Sequence, residues 1–111
     1  MTGPTIGVIG GGAWGTALAQ TMRLAGRDTM LWARNAEVVN DINERHTNRA
    51  YLPDVALDPG LSATSEPRPV AGRDVVLLVT PAQQLRSVAA TLSGHIKPGT
   101  PVVICCKGIE L

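Results

Sequence analysis

The 111-residue sequence has few aromatic residues, only two cysteines and no excess of either charge. It contains two tryptophans, one tyrosine and no phenylalanine, but an apolar fraction of 44% can still supply a core. Its formal net charge is +1 and no basic run stands out, which argues against nucleic acid as a partner. No stretch is long and apolar enough for membrane insertion, and the first residues lack the features of a signal peptide. We therefore expect a cytoplasmic protein of one domain.

The two cysteines, Cys105 and Cys106, are adjacent in the sequence. Neighbouring side chains of a strand point to opposite faces, so a disulfide between them is not expected. We expect both to be small apolar residues buried in a protein from a reducing compartment. With only His46 and His95 in addition, the chain has too few ligands for a Cys/His zinc site, and no metal site is predicted.

Residues 6–15, which read IGVIGGGAWG, combine a buried-strand pattern with a glycine-rich turn. The apolar run at 6–9 is typical of a strand buried on both faces of a parallel sheet. In the G-x-G-x-x-G pattern, Gly10 allows the tight turn, Gly12 lets a pyrophosphate approach the backbone, and Gly15 allows close packing of the next helix. The N-terminus of that helix offers N–H groups and a partial positive charge to phosphates. The pattern predicts a dinucleotide site, and the alternative is a structural strand–turn–helix without ligand.

The end of the second predicted strand bears on the choice of cofactor. Apolar residues at helical spacing follow the turn and end at Gly26, and a strand pattern covers 29–33. Dinucleotide-binding folds often place an acid after this strand, where it binds the ribose 2′-hydroxyl. Here Arg34 takes that place, and a guanidinium can pair with a 2′-phosphate. We expect NAD or NADP as cofactor, with NADPH favoured; the alternative is that Arg34 is a solvated surface charge. Asn35 is expected to cap the next helix.

The remaining sequence alternates between helix and strand patterns. The clearest element is the continuous apolar strand of residues 74–79, after which Thr80 and Pro81 are expected to begin a helix as its cap and first position. Residues 46–60 have little periodicity and are predicted to form a long loop, which in a compact domain is more often functional than filler. The helix that begins at Pro81 is expected to end near residue 93. The other predicted elements are a helix over 36–45, a strand over 61–64, a short irregular helix within 66–72 and a strand over 102–106.

This order of elements predicts an α/β fold of the Rossmann type. We expect a parallel sheet with strand order 3-2-1-4-5 and helices on both faces. The carboxyl ends of the strands then share one edge, where ligands bind. Four segments are expected to gather there: the glycine turn, Arg34 with Asn35, Thr80 with Pro81, and Lys107. An ammonium at Lys107 could polarise a carbonyl or hold a phosphate; the alternative is a solvated side chain.

Five segments, GGGAWGTALA, LWAR, NRAYLP, VVLLVTPA and CCKGIE, occur here in a familiar order. Together they resemble bacterial NAD(P)-dependent glycerol-3-phosphate dehydrogenase, and the likeness extends from Ile6 to Glu110. The resemblance implies an enzyme that interconverts sn-glycerol 3-phosphate and dihydroxyacetone phosphate in the cytoplasm, for glycerophospholipid synthesis. That family has a second, mostly helical domain carrying a catalytic lysine. Residues 1–111 would then be an incomplete N-terminal NAD(P)-binding domain, which we expect to be inactive alone.

The resemblance also implies roles for individual residues. It places Ala13 and Trp14 against the cofactor, Tyr51 near the cofactor, and Lys107 between the nicotinamide and substrate pockets. The family usually has serine at the position of Ala13, so one hydroxyl contact is lost here. No catalytic residue is expected within the chain, although Lys107 would assist and bind substrate. The predicted cofactor-binding residues are Gly10, Gly12, Ala13, Trp14, Gly15, Arg34, Asn35, Tyr51, Pro81 and Lys107.

Two other functions stay open at this point. One is another NAD(P)-dependent dehydrogenase, of the hydroxyacid or ketopantoate type, although the NRAYLP loop and the KGIE ending argue against it. The other is a nucleotide-sensing module without catalysis. The last strand is expected to lack a neighbour on one side, which favours a homodimer or another partner.

Overall fold

Five strands form one parallel sheet in a computed structural model that describes residues 3–80 and 85–105. The strands are β1 (Ile6–Ile9), β2 (Thr29–Trp32), β3 (Ser62–Thr64), β4 (Val75–Leu78) and β5 (Val102–Ile104). The α-helices are α1 (Ala13–Leu24), α2 (Ala36–Asn40), α3 (Pro67–Ala71) and α4 (Leu85–Leu92). The strand order β3-β2-β1-β4-β5 and the parallel pairing confirm the predicted topology.

Strand β1 lies at the centre of the sheet, between β2 and β4, and every one of its residues is buried. Ile6 stands opposite Thr29 of β2 on one side and Val75 of β4 on the other. Successive side chains alternate between faces, so Val8 packs with residues of α1 and α2 while Ile9 packs with residues of α3 and α4. Helices therefore cover both faces of the sheet, as predicted, and the apolar run of β1 is explained by burial on both sides.

Helix α1 follows the glycine turn directly and fixes its position against the sheet. Thr16 and Ala19 are fully buried on the helix face that contacts the core. The helix ends at Leu24, and Gly26 adopts a φ of +88°, which confirms the predicted glycine after the helix. Among residues 3–80 and 85–105, none of the helices combines the length and the apolar composition that crossing a bilayer requires.

The predicted helix over 36–45 is divided into two parts. α2 ends at Asn40, and a π-helix (Asp41–Arg45) continues the chain until His46 stops it in a left-handed conformation, with a φ of +57°. The N–H of His46 donates both to the carbonyl of Asp41, five residues earlier, and to that of Ile42, four residues earlier, at 3.1 Å; the first of these is the π-helical spacing. The sequence did not reveal this change, because Val38 and Ile42 are four residues apart, as in a regular α-helix, and both are buried.

The last strand differs from expectation at its cysteines. β5 ends at Ile104, and Cys105 is half-buried rather than buried, because β5 is the edge of the sheet and has no strand on its outer side among the described residues. Cys106 lies outside the described residues, as does the predicted helix start at Pro81. The remaining predicted elements are observed, including the short helix α3, which contains both prolines and ends before Gly72.

Three aspartates tie distant segments of the fold together, and each has a lowered pKa. A backbone N–H of Arg49 lowers the pKa of Asp41, and Thr47 Oγ1 donates a second hydrogen bond to the same carboxylate. The guanidinium of Arg23 lowers the pKa of Asp58 through a 2.8 Å hydrogen bond. The backbone N–H of Thr5 lowers the pKa of Asp74. All three carboxylates are therefore bound more favourably as anions in the folded protein.

These lowered pKa values predict a loss of stability in acid. The stabilisation is fully present above the unfolded value of 3.8 and is lost as the pH falls through the lower folded values. The free energy of unfolding should receive a constant contribution from these groups above about pH 5 and decline below about pH 4. Urea unfolding across this pH range, at constant ionic strength, measures the decline. The variant Asp41→Asn should show a smaller decline with falling pH than the wild type. Higher stability at the acid end than at neutral pH would contradict this account.

Candidate functional site

A cleft lies at the carboxyl ends of the central strands, where β1 leads into the glycine turn. Its volume is about 800 Å³, in the range of small-molecule sites. The cleft is open to solvent. It is lined by residues that end or follow β1, β2, β4 and β5, by residues of the helices and by Tyr51 of the 46–60 loop. Its lining consists of Gly10, Gly11, Gly12, Ala13, Trp14, Gly15, Trp32, Ala33, Arg34, Asn35, Val38, Tyr51, Val79, Thr80, Val88 and Cys105.

The glycine turn is built by different constraints at its successive glycines. Gly10 has a φ of +133°, and a side chain there would collide with the carbonyl of Val79. A side chain at Gly15 would collide with the carbonyl of Gly10, so α1 can approach the turn only because Gly15 is a glycine. Gly12 is different: its φ is −75°, and an added Cβ would meet no protein atom within 4 Å. The protein's own packing therefore requires glycine at Gly10 and Gly15 but not at Gly12.

The first turn of α1 presents backbone donors to the cleft. Its N-cap is Gly12, which has no side chain to accept from the first amides, and no acidic residue lies in the first turn. The helix dipole adds a partial positive charge at this point. Arg34 is the sole charged side chain among the described residues that line the cleft. The electrostatics of the described lining therefore favour an anionic ligand.

All three aromatic residues of the chain line this cleft. Trp14 and Tyr51 are about half exposed, at 49% and 51%, although large aromatic side chains are usually buried. Trp32 is held by a 2.9 Å hydrogen bond from its Nε1 to the carbonyl of Ser65. Flat apolar surfaces that face a cleft are suited to stacking against the planar rings of a ligand.

Arg34 and Asn35 reach the cleft because β2 is tied to the glycine turn. The N–H of Gly10 donates to the carbonyl of Trp32 at 2.9 Å, and the N–H of Ala33 donates to the carbonyl of Thr64 at 3.0 Å. Asn35 accepts the N–H of Glu37 at 2.7 Å, which confirms the predicted helix cap. The exposed side chain of Arg34 follows at the rim of the cleft.

The 46–60 loop carries Tyr51 to the cleft and is held by two polar residues. The carboxylate of Asp41 accepts Thr47 Oγ1 at 2.7 Å and the N–H of Arg49 at 2.9 Å. Between these two residues, Asn48 is fully buried, and its amide donates to the carbonyl of Gly11 at 3.0 Å. The long loop is therefore held at Asp41 by two hydrogen bonds and at the glycine turn by one, from Asn48 to Gly11.

Eight of the ten predicted cofactor-binding residues line the cleft; the other two, Pro81 and Lys107, lie outside the described residues. The sequence interpretation did not assign to the site six side chains that line the cleft: Trp32, Ala33, Val38, Val79, Val88 and Cys105. Trp32 and Cys105 could have been found, since each stands at the carboxyl end of a strand or directly after it. Neither Asn48 nor Thr16 was singled out, because both are polar residues whose burial depends on contacts between distant segments.

Comparison with known proteins gives the family. Residues 5–111 match the family model described as the N-terminus of NAD-dependent glycerol-3-phosphate dehydrogenase. The chain belongs to this family. A glycerol-3-phosphate dehydrogenase [NAD(P)+] from Paramagnetospirillum magneticum is 59% identical over 106 residues, which are 96% of this chain and 38% of the relative. The crystal structure of glycerol-3-phosphate dehydrogenase from Coxiella burnetii matches 95% of this chain with a TM-score of 0.84 and 25% identity, over 34% of its own length.

The chain thus spans little more than a third of the length of these relatives. A ketopantoate reductase from Ralstonia eutropha also matches, with a TM-score of 0.72 and 24% identity over 88% of this chain and 32% of that one. At that identity the match shows a shared fold alone. The family match and the 59% identity to the Paramagnetospirillum magneticum enzyme place this chain with the glycerol-3-phosphate dehydrogenases and not with the ketopantoate type.

Proposed function

We propose that the chain is the cofactor-binding domain of an enzyme that interconverts sn-glycerol 3-phosphate and dihydroxyacetone phosphate with NAD(P)H. The observation that carries the proposal is the cleft at the N-terminus of α1, which offers backbone donors and one cation with no carboxylate among its described lining. The names of the relatives, which include NAD(P)+, give the cofactor class. A bound nicotinamide supplies hydride to a carbonyl, and the described residues bind and orient the molecule.

The diphosphate of the cofactor is proposed to lie against the turn from Gly10 to Gly15. Gly12 supports this placement, because the space that its missing side chain leaves open contains no protein atom. Ala13 lacks the hydroxyl that serine would supply, so the backbone N–H groups at the start of α1 are the donors available at this point. Trp14 and Tyr51, which line the cleft, would stack against the rings of the cofactor.

Arg34 supports a preference for NADPH. It follows β2 at the position where an acid would select the ribose 2′-hydroxyl, and its guanidinium can instead pair with a 2′-phosphate. Asn35 is fixed beside it by its capping hydrogen bond. Both NAD and NADP remain within the proposal, and NADPH is the favoured one.

Lys107 and Pro81 complete the proposed site on the strength of the sequence resemblance. Lys107 would hold the substrate beside the nicotinamide, either by charge on its phosphate or by polarising its carbonyl. The reaction is proposed to take place in the cytoplasm and to supply glycerophospholipid synthesis. A homodimer is supported by the outer edge of β5, where Val102, Val103 and Ile104 are 39%, 47% and 56% exposed.

An activity assay tests the proposal. The protein of residues 1–111 and the longest product of its gene are each incubated with NADPH and dihydroxyacetone phosphate, and the absorbance of NADPH is followed. We expect oxidation of NADPH by the longest product, and cofactor binding without turnover by residues 1–111. Binding without oxidation by either protein would favour the sensing module over the enzyme. Binding by neither would contradict the proposal as a whole.

A further inference from the structure

A buried amide connects the long loop to the glycine turn. Asn48 has no exposed surface, and its Nδ2 donates to the carbonyl oxygen of Gly11 at 3.0 Å and to Thr16 Oγ1 at 2.8 Å. Thr16 Oγ1 donates in turn to the same Gly11 carbonyl at 3.3 Å. Because a carbonyl oxygen can only accept, the amide nitrogen of Asn48 and not its oxygen must face Gly11. The three groups form a closed triangle around one peptide of the turn.

This triangle sets the orientation of the peptide between Gly11 and Gly12. In a planar trans peptide the C=O and N–H bonds point in opposite directions. Holding the carbonyl of Gly11 toward Asn48 therefore turns the N–H of Gly12 away from the loop. Gly11 and Gly12 both line the cleft, whereas Asn48 does not. Glycine peptides rotate more easily than others, so a turn of three successive glycines needs such a restraint to keep one orientation.

Asn48 is itself held at a fixed place in the loop. Its neighbours Thr47 and Arg49 both donate to the carboxylate of Asp41. The carbonyl of Asn48 accepts the N–H of Leu52 at 2.7 Å and that of Tyr51 at 3.3 Å. Asn48 therefore contacts two parts of the site: the turn that carries Tyr51 into the cleft, and the Gly11–Gly12 peptide.

Stability alone does not explain an amide at this position. Asn48 Oδ1 is buried and has no hydrogen-bond partner among the described residues. A buried acceptor without a partner lowers the stability of the folded state. The donor side of the amide is nevertheless placed at the Gly11–Gly12 peptide, which joins the turn to the N-cap residue of α1.

We propose that Asn48 is a positioning residue for the cofactor diphosphate: it fixes the Gly11–Gly12 peptide so that the N–H of Gly12 faces the ligand. Thr16 is its partner in this role. Neither side chain touches the cofactor. The inference rests on the proposed function, since it assumes that a diphosphate occupies the start of α1.

The test compares ligands with and without a diphosphate. Dissociation constants of ADP-ribose and of adenosine 2′-monophosphate are measured for the full-length gene product and for Asn48→Ala, Thr16→Val and Asn43→Ala. Asn43 is the matched control, because it makes two hydrogen bonds to the backbone of Ala63 and none to the glycine turn. Melting temperatures are recorded for every variant.

We expect Asn48→Ala to weaken ADP-ribose binding by about tenfold, the equivalent of one lost hydrogen-bond restraint. Its binding of adenosine 2′-monophosphate should stay within about twofold of the wild type. Thr16→Val should show a smaller loss for ADP-ribose alone. Asn43→Ala should lower the melting temperature and leave both dissociation constants unchanged.

Unaltered ADP-ribose binding by Asn48→Ala would overturn the inference, as would an equal loss for both ligands, which is the signature of general loosening. If Asn48→Ala does not fold, Thr16→Val decides, since it keeps the volume of the side chain, and normal ADP-ribose binding by that variant overturns the inference. A wild-type protein that binds no ADP-ribose would instead remove the proposed function on which the inference rests.

Discussion

Gly12→Val is expected to weaken NADPH binding by about 100-fold, which corresponds to the loss of two charge-assisted hydrogen bonds. The backbone of Gly12 has an ordinary φ of −75°, and an added Cβ meets no protein atom within 4 Å. The valine side chain should therefore fit the unliganded protein and occupy the space proposed for the diphosphate. Isothermal titration with NADPH measures the loss, and the melting temperature without ligand should fall only slightly, because valine is a poorer N-cap residue than glycine.

Gly94→Val provides the matched control for this experiment. Gly94 also has no protein atom near its added Cβ, and it does not belong to the cleft. The control should retain both the affinity and the melting temperature of the wild type. Normal NADPH affinity in Gly12→Val would show that the diphosphate does not approach this peptide.

Arg34→Ala is expected to weaken NADPH binding by roughly 10- to 100-fold while changing NADH binding little, because only NADPH carries the 2′-phosphate. Arg34 is exposed at the rim of the cleft, where it is the one charged side chain in the described lining. The NADPH affinity of the wild type should also fall with rising salt, and the variant should lose most of that dependence. Fluorescence titrations with the two cofactors in parallel measure both effects.

Arg68→Ala serves as the control for charge, since Arg68 is an exposed arginine of α3 that does not line the cleft. It should leave both affinities and their salt dependence unchanged. An equal loss of NADH and NADPH affinity in Arg34→Ala would show that Arg34 binds a group that both cofactors carry, and not the 2′-phosphate. No loss for either cofactor would identify Arg34 as a solvated surface charge.

Much of the fold could be predicted because its determinants are local. The β1 run, the glycine turn and the apolar stripe of α1 follow one another without interruption, so each element limits the next. The alternation of strands and helices then leaves few topologies, and the order β3-β2-β1-β4-β5 was among the predictable features. The cap at Asn35 could be predicted for the same reason, since its partner Glu37 is two residues away.

The contacts that hold the site together could not be predicted, because they join segments far apart in the chain. Asn48 and Gly11 are 37 residues apart, and Arg23 and Asp58 are 35 apart. Nothing in the spacing of polar residues within a loop indicates which of them will be buried. The π-helix at Asp41–Arg45 was missed because apolar periodicity does not report polar contacts. Its first residue, Asp41, holds the following loop by accepting hydrogen bonds from Thr47 and Arg49.

The most direct test of the central claim is a crystal structure of the full-length gene product grown with NADPH. The account predicts diphosphate oxygens within hydrogen-bond distance, about 2.7–3.2 Å, of the amides from Gly12 to Gly15, and the 2′-phosphate beside Arg34. Density for the cofactor in the neighbouring pocket lined by Arg45 and Arg49, or a diphosphate remote from the start of α1, would contradict it.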